Sequence, residues 1–401
     1  MTDRLDRYAA ILLDVGVRVQ AGQLVAINAH LEHAPLARAV AEQAYRRGAE
    51  YVDIWYWDPY GKRSRIRHAP EATLAATPPW LDRRYEHLVE RRGALITIEG
   101  DPAPDLLAGL DEGRAGLDRM PTLTSRIRAQ MSGDIAWTIA AYPTPAWAQA
   151  VFGEPDVERL WHHLTTFLYL DADDPAAAIE ARLAELRARA ERLTALDLDA
   201  VRFTGPGTDL TLGLIPHAAW HISELPGPTG RNVLNLPTEE VYTTPDYRRV
   251  CGHVTSTKPL ALGGTLVRDL RLTVVDGEVT EVDATSGADV VRRNQGIDAG
   301  ARRFGEVALV DHSSPIGRSG VTFQTTLLDE NATCHLAWGA GIPSVLEGWR
   351  SLDADQRLAR GVNRSGTHVD FMVGGPDVTV TGIGRDGREV ELLRHERWRV
   401  D

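Results

Sequence analysis

The chain has 401 residues, 43% hydrophobic and 25% charged, with a formal net charge of -12. That length exceeds one ordinary core and points to two domains. The acidic balance argues against a broad nucleic-acid footprint, which needs clustered Lys and Arg, and no apolar run approaches the roughly 18 to 20 residues that span a bilayer.

The opening segment MTDRLDRYAAILLDVGVRV reads as an amphipathic helix with acidic residues spaced through it. It is not a basic segment followed by an apolar core and a cleavage site, so the expected location is the cytoplasm. Leu24 to Asn28 is a short apolar run, Pro35 to Arg47 carries a helical stripe ending at Gly48, and a second apolar run follows at Tyr51 to Tyr56. Strand, helix, strand in that order implies a parallel pair with a crossover helix. The pattern recurs as a helix near Leu81 to Arg92 leading into Ala94 to Ile98. Two further helices are expected, Pro155 to Tyr169 and Pro175 to Leu196, the second opening with Asp174 as cap and Pro175 in the first turn. In that long helix Ile179, Leu183, Leu186, Ala190 and Leu193 fall on one face. Arg182, Arg187, Arg189 and Arg192 sit among glutamates, which reads as solvated ion pairing.

After about residue 197 the texture changes to short alternating runs: Ala200 to Thr204, Asp209 to Leu214, Leu270 to Val275, and Val279 to Val282. Asp276-Gly277 and Asp386-Gly387 separate β-rich segments as hairpin turns do, and Gly205-Pro206-Gly207 reads as a structural turn. The expectation is an α/β N-terminal domain over residues 1–197 with an open, mostly parallel sheet. An α+β domain over residues 198–401 follows, with a largely antiparallel sheet.

HExxH, GxSxG, P-loop and CxxC signatures are absent, and Cys251 and Cys334 are too few for a disulfide framework or a four-thiolate site. What remains is a set of acidic and histidine residues in apolar or glycine-rich surroundings. They are Glu239 and Glu240 in NLPTEEVYT, Glu306 in FGEVALV, Glu330 and His335 in LLDENATCHLAWG, and His368 and Asp370 in GTHVDFMVG. Taken alone, Glu306 reads as a strand-end surface residue. In an extended segment, however, His368 and Asp370 point to one side while Val369 and Phe371 point to the other. Buried carboxylates need partners or metal. Nitrogen and oxygen donors without thiolates suit Zn, Co or Mn, and five or six donors exceed what one tetrahedral ion uses, as a two-metal centre would require.

These residues lie in motifs that resemble the thermophilic aminopeptidase T family of two-metal aminopeptidases. The motifs are GPGTDLTLGL (Gly205 to Leu214), NLPTEEVYTTPD (Asn235 to Asp246), STKPL (Ser256 to Leu260), GARRFGEVALV (Gly300 to Val310), LLDENATCHLAWG (Leu327 to Gly339) and GVNRSGTHVDFMVGG (Gly361 to Gly375). A looser likeness in the N-terminal half runs through PTPAWAQAVF (Pro143 to Phe152). The resemblance implies that Glu240, Glu306, Glu330, His335, His368 and Asp370 hold two divalent ions, with Glu306 as bridge. It also implies attack by a metal-bound hydroxide on the first peptide bond of a substrate with a free amino terminus, and a homodimer. Glu239 is expected as a group behind the ligands or a salt-bridge partner, and Lys258 as a candidate for stabilising the oxyanion. The family carries a tyrosine seven residues after the histidine of the DENAxxH segment, where this chain has Ile342; Tyr242 and Tyr247 are phenols the fold can bring in. Beside the aminopeptidase stand two other readings: a two-metal amide hydrolase for a non-peptide or modified amino-acid substrate, and a non-catalytic, metal-stabilised binding protein. Cys334, beside His335, reads as a small buried apolar residue.

Overall fold

The computed structural model describes residues 2–104, 106–107, 109–118, 120, 124–263 and 265–400. Two compact units emerge, one from Met1–Ala181 with Glu224–Pro237 and one from Arg182–Ser223 with Thr238–Asp401. No helix among the described residues is long and apolar enough to cross a membrane.

In the first unit the N-terminal helix α1 (Thr2–Ile11) runs into a π-helical turn, Leu12–Gly16. Strand β1 (Leu24–His30), helix α2 (Ala34–Arg46) and strand β2 (Tyr51–Trp57) form the crossover that the apolar runs imply. Helix α3 (Pro79–Glu90), strand β3 (Ala94–Glu99) and strand β4 (Ala136–Ala141) continue it. The sheet is parallel throughout, in the order β2-β1-β3-β4, and the two-residue strand Asn235–Leu236 closes its edge beside β4. Val25, Ile27, Leu95 and Ile96 are buried in it, as expected for a sheet covered on both faces. Helix α4 (Val157–Phe167) follows, and helix α5 (Pro175–Ala195) begins in the first unit and passes into the second at Arg182. Asp174 Oδ1 caps α5 by accepting the Ala177 N–H at 3.0 Å, and Ile179, Leu183, Leu186, Ala190 and Leu193 are all buried.

The second unit is built on two antiparallel sheets. Besides a small two-stranded pair, Leu260–Leu262 with Thr265–Val267, the strands of these sheets are β5 (Leu198–Gly205), β6 (Thr208–Leu214), β7 (Val241–Thr243), β8 (Pro245–Thr255), β9 (Arg271–Val275), β10 (Glu278–Asp283), β11 (Phe304–Leu309), β12 (His335–Gly339), β13 (His368–Met372), β14 (Thr379–Gly384), β15 (Glu389–Arg394) and β16 (Arg397–Trp398). Eight form one sheet, ordered β10-β9-β8-β6-β5-β14-β15-β16, and four form another, ordered β7-β11-β12-β13. Asp276 and Gly277 take φ of 49° and 78° between β9 and β10, the pair of positive φ values that a tight hairpin turn needs. Pro206 and Gly207 form the turn between β5 and β6.

The four-stranded sheet has two chemically different faces. Along β12, His335 and Ala337 alternate with Leu336 and Trp338; along β13, His368 and Asp370 alternate with Val369 and Phe371. The apolar face packs aromatic rings, with centroids of Trp338 and Phe371 5.4 Å apart and of Phe304 and Phe371 6.2 Å apart. The other face carries the candidate ligands.

Candidate metal centre

Strand register explains how residues scattered over 130 positions meet. Ala337 of β12 lies opposite Glu306 on one side and opposite Asp370 on the other, while His335 lies opposite Ala308 and Gly339 opposite His368. Because i and i+2 share a face, Glu306, His335, His368 and Asp370 project together around the small side chain of Ala337. A bulge between Phe304 and Glu306 adjusts the aim of the Glu306 carboxylate. Glycine is required at its centre, since a Cβ on Gly305 would lie 2.2 Å from Ala340 O. Glu240 enters from the segment just before β7, and Glu330 from the short turn Glu330–Ala332 before β12.

Two groups of donors result, and they share one member. Glu240, Glu306 and His335 each offer an atom within 4.8 Å of the others, and so do Glu306, His368 and Asp370. His335 Nε2 is 3.0 Å from Glu240 Oε2 and 4.0 Å from Glu306 Oε1. His368 Nε2 is 3.1 Å from Glu306 Oε2 and 3.3 Å from Asp370 Oδ1. Five of the six residues are buried, and His368, with 33% of its side chain open, marks the mouth. Glu330 belongs to neither group of three. It is buried beside them, and burial together with the charges of Asp370 and Glu240 raises its pKa well above the usual carboxylate range.

The electrostatics describe a site short of positive charge. Burial first, then the neighbouring Glu240 and Asp370, push the Glu306 carboxyl up to about 7. Burial alone would make His335 less basic, but Glu240, Asp370 and Glu306 outweigh it and hold the ring at about 10. His368 behaves likewise, held well above its ordinary value against burial by Asp370 and Glu306. Burial opposes ionisation of Asp370 as well, but His368 and His335 win and keep it low.

The donor set fits divalent cations. His368 Nδ1 lies 2.8 Å from Ala340 O and His335 Nδ1 3.4 Å from Thr333 O. Rings protonated at Nδ1 donate to these carbonyls and turn Nε2 lone pairs into the cluster, the orientation metal-binding histidines adopt. Asp370 Oδ1 is buried and, with His368 Nε2 3.3 Å away, makes no well-formed hydrogen bond, and such a carboxylate oxygen is costly unless a cation meets it.

A second layer holds the ligand segments. Arg182 of α5 donates from Nε at 2.8 Å and from Nη2 at 2.6 Å to Glu239 Oε2, so the Glu239 carboxylate is committed to that guanidinium. Arg182 also donates to Ser313 Oγ at 2.9 Å, Ser313 Oγ donates to Asp311 Oδ1 at 2.6 Å, and Arg189 Nη1 donates to the same Oδ1 at 3.0 Å. These two arginines are therefore internal partners of buried carboxylates and not the solvated pairs their helix suggests. Asn331 Oδ1 accepts the Glu239 N–H at 2.6 Å, and its Nδ2 donates to Leu327 O at 3.0 Å and lies 3.4 Å from Glu330 Oε1. One side chain thus ties the Glu240 segment to the Glu330 turn.

Lys258 is half-buried, and its charge bears on Asp329, the neighbour of Glu330. It is not among the charges that act most strongly on Glu306, Glu330 or Asp370. Tyr247 lies under the guanidinium of Arg303, 5.2 Å from its ring centroid, whereas Tyr242 is buried beside the cluster, with Glu306 and Glu240 the charges that act on it. The EVY triplet contains the signal for Tyr242, because Glu240 and Tyr242 are two apart in extended chain. Arg182 and Asn331 left no comparable signal, their partners lying 57 and 92 positions away. Cys334 is a buried small residue, its thiol 3.4 Å from Val310 O and pushed up to about 12 by burial.

The family described as thermophilic metalloprotease (M29) matches residues 1–398. The chain is 37% identical over 402 residues to Aminopeptidase 2 of Geobacillus stearothermophilus, covering 98% of this chain and 97% of that protein. It is 38% identical over 404 residues to Aminopeptidase T of Thermus thermophilus, covering 99% and 98%. The solved structure of wild-type AmpT from Thermus thermophilus superposes with a TM-score of 0.89 at 36% identity, over 99% of each chain.

Proposed function

The chain belongs to the thermophilic metalloprotease (M29) family, and from that premise we propose that this aminopeptidase works through two divalent cations held by Glu240, Glu306, Glu330, His335, His368 and Asp370. The observation that carries the number two is the sharing of Glu306 between both groups of three donors. Charge supports it: four carboxylates with two neutral imidazoles amount to -4, which two divalent cations balance. An oxygen and nitrogen donor set without thiolate suits Zn, Co or Mn. When bound, such cations supply Lewis acidity, which polarises the scissile carbonyl and makes water nucleophilic near neutral pH.

The chain's own residues do the rest. Glu306 spans the two sub-sites and fixes their spacing. Ala340 O and Thr333 O hold the proton of each ring on Nδ1, which leaves Nε2 of His368 and His335 as a ligand. Glu239 acts as a positioning group: pinned by Arg182, it fixes the backbone from which Glu240 projects. Lys258 offsets the charge of Asp329 at the edge of the site. His368 is the most open of the six, with 33% of its side chain exposed.

Protein stripped with chelator and reloaded with Zn, Co or Mn should cleave unblocked aminoacyl anilides and leave N-acetylated ones intact. Cleavage of both series would replace the aminopeptidase reading with a general amidase. Glu306→Gln should abolish turnover and lower bound metal below two equivalents; a full metal complement in that variant would remove the bridging role.

A further inference from the structure

Tyr242 is a buried phenol that the ligand scheme leaves without a task. Its position on the ligand face follows from the strand geometry. Glu240 and Tyr242 are two residues apart in extended chain and so point to one side. Tyr242 lies opposite Ala308 in the β7–β11 ladder, which makes Glu306 its diagonal neighbour on the same face, a separation aromatic side chains reach across. Only 3% of Tyr242 is exposed, and its ring is packed among Ile215, Val345, Leu346 and Val362, with half-buried Ile342 against the same cluster. The polar end of the ring meets a different environment: Glu306 and Glu240 are the charges that act on it, and Ser344 lies beside it. Phenylalanine would fill the apolar part equally well. The hydroxyl is the one group that phenylalanine would lack, and Ser344 is its polar neighbour at the edge of the ligand face.

We propose that Tyr242 is a catalytic residue of this centre, whose phenol O–H donates a hydrogen bond to the oxygen of the scissile carbonyl as negative charge develops there. The inference rests on the two-cation reading of the same cluster. A hydroxyl pair can run in either direction: with Ser344 donating to the phenol oxygen, the phenolic proton is left for a substrate oxygen. The ring is locked by its apolar neighbours, so the donor is in place before reaction and need not reorganise, the condition under which such a hydrogen bond is most effective. Tyr247 cannot substitute, being held under Arg303.

The test is Tyr242→Phe, which keeps the ring and its packing. The metal-loaded variant is compared with the wild type for metal stoichiometry, for kcat on the unblocked anilide the wild type cleaves fastest, and for binding of two ligands. One ligand is the α-aminophosphonate, a tetrahedral anion; the other is the free amino acid. The expected result is two equivalents of metal retained, kcat lower by about 100- to 1,000-fold, phosphonate binding weakened by a comparable factor, and amino-acid binding unchanged. An unchanged kcat would overturn the assignment. So would a fall in kcat that tracks lost metal, which would make Tyr242 a support for the ligands. Failure of the underlying reading is distinguishable, because the wild type itself would then hold fewer than two equivalents.

Discussion

Glu239 and Glu240 are adjacent in the chain yet are held by different partners. Glu240 faces His335 across 3.0 Å, while Glu239, with 2% of its side chain exposed, is held by Arg182, itself 11% exposed. Burial raises the Glu239 pKa to about 7 even against the opposing effect of Arg182, which shows how strongly that carboxylate depends on its partner. Removing one member of a buried pair strands the other, a loss of about 3–5 kcal/mol. Arg182→Leu is accordingly expected to destabilise the protein by that amount in urea denaturation. Arg182→Leu with Glu239→Gln should recover part of the loss, because no buried charge is then left unpaired; strictly additive effects would show that the two side chains are not coupled. The acidic and histidine residues that the structure brings together stood out because carboxylates inside apolar runs are anomalous in any sequence. Arg182 was not, since an arginine among glutamates on a helix has the same local pattern whether it faces water or a buried partner.

At the scale of elements, the alternation of side chains was the most informative feature of the sequence. HVDFM and HLAWG place candidate ligands and aromatic core on opposite faces of β13 and β12 by period alone, and the hairpin at Asp276-Gly277 falls where its turn residues put it. What period cannot reveal is register. The bulge at Gly305 and the two-residue strand Asn235–Leu236, which pairs with β4 of the first unit, are each too short to leave a repeating pattern. Register is also what makes Ala337 important, since it stands between Glu306 and Asp370 in the ladder. A larger side chain there would occupy the space on which the ligands converge. Ala337→Leu should cost about 1–3 kcal/mol from overpacking and reduce bound metal, as measured by elemental analysis of the folded variant. Two equivalents retained in that variant would show that the ligands converge elsewhere.

For the molecule as a whole, acid stability is governed in part by a residue far in sequence from the candidate ligands. His33 is fully buried, and burial lowers its pKa to about 4, against an ordinary 6.5. Its Nε2 lies 2.8 Å from Gly100 O and its Nδ1 3.0 Å from Ile98 O, with the His30 backbone N 3.3 Å from the same Nδ1. Both ring nitrogens thus face carbonyl oxygens, and a neutral ring, with one N–H, can donate to only one of them. Gly100 permits this approach of chain segments, because a Cβ there would lie 2.2 Å from Tyr142 O. As pH falls below 6.5 the unfolded chain binds a proton at this histidine that the folded chain refuses until about pH 4. Stability is thus unaffected by His33 above pH 6.5 and is lost progressively between 6.5 and 4. The gap, at about 1.4 kcal/mol per pH unit, is worth about 3 kcal/mol in total. His33→Gln keeps a neutral donor toward Gly100 O and removes the titration. The difference in unfolding free energy between wild type and variant, followed from pH 7 to pH 4, should shift in favour of the variant by about that amount. Parallel curves over this range would mean that the His33 ring takes up its proton in the folded protein as readily as in the unfolded chain, and that acid sensitivity originates elsewhere.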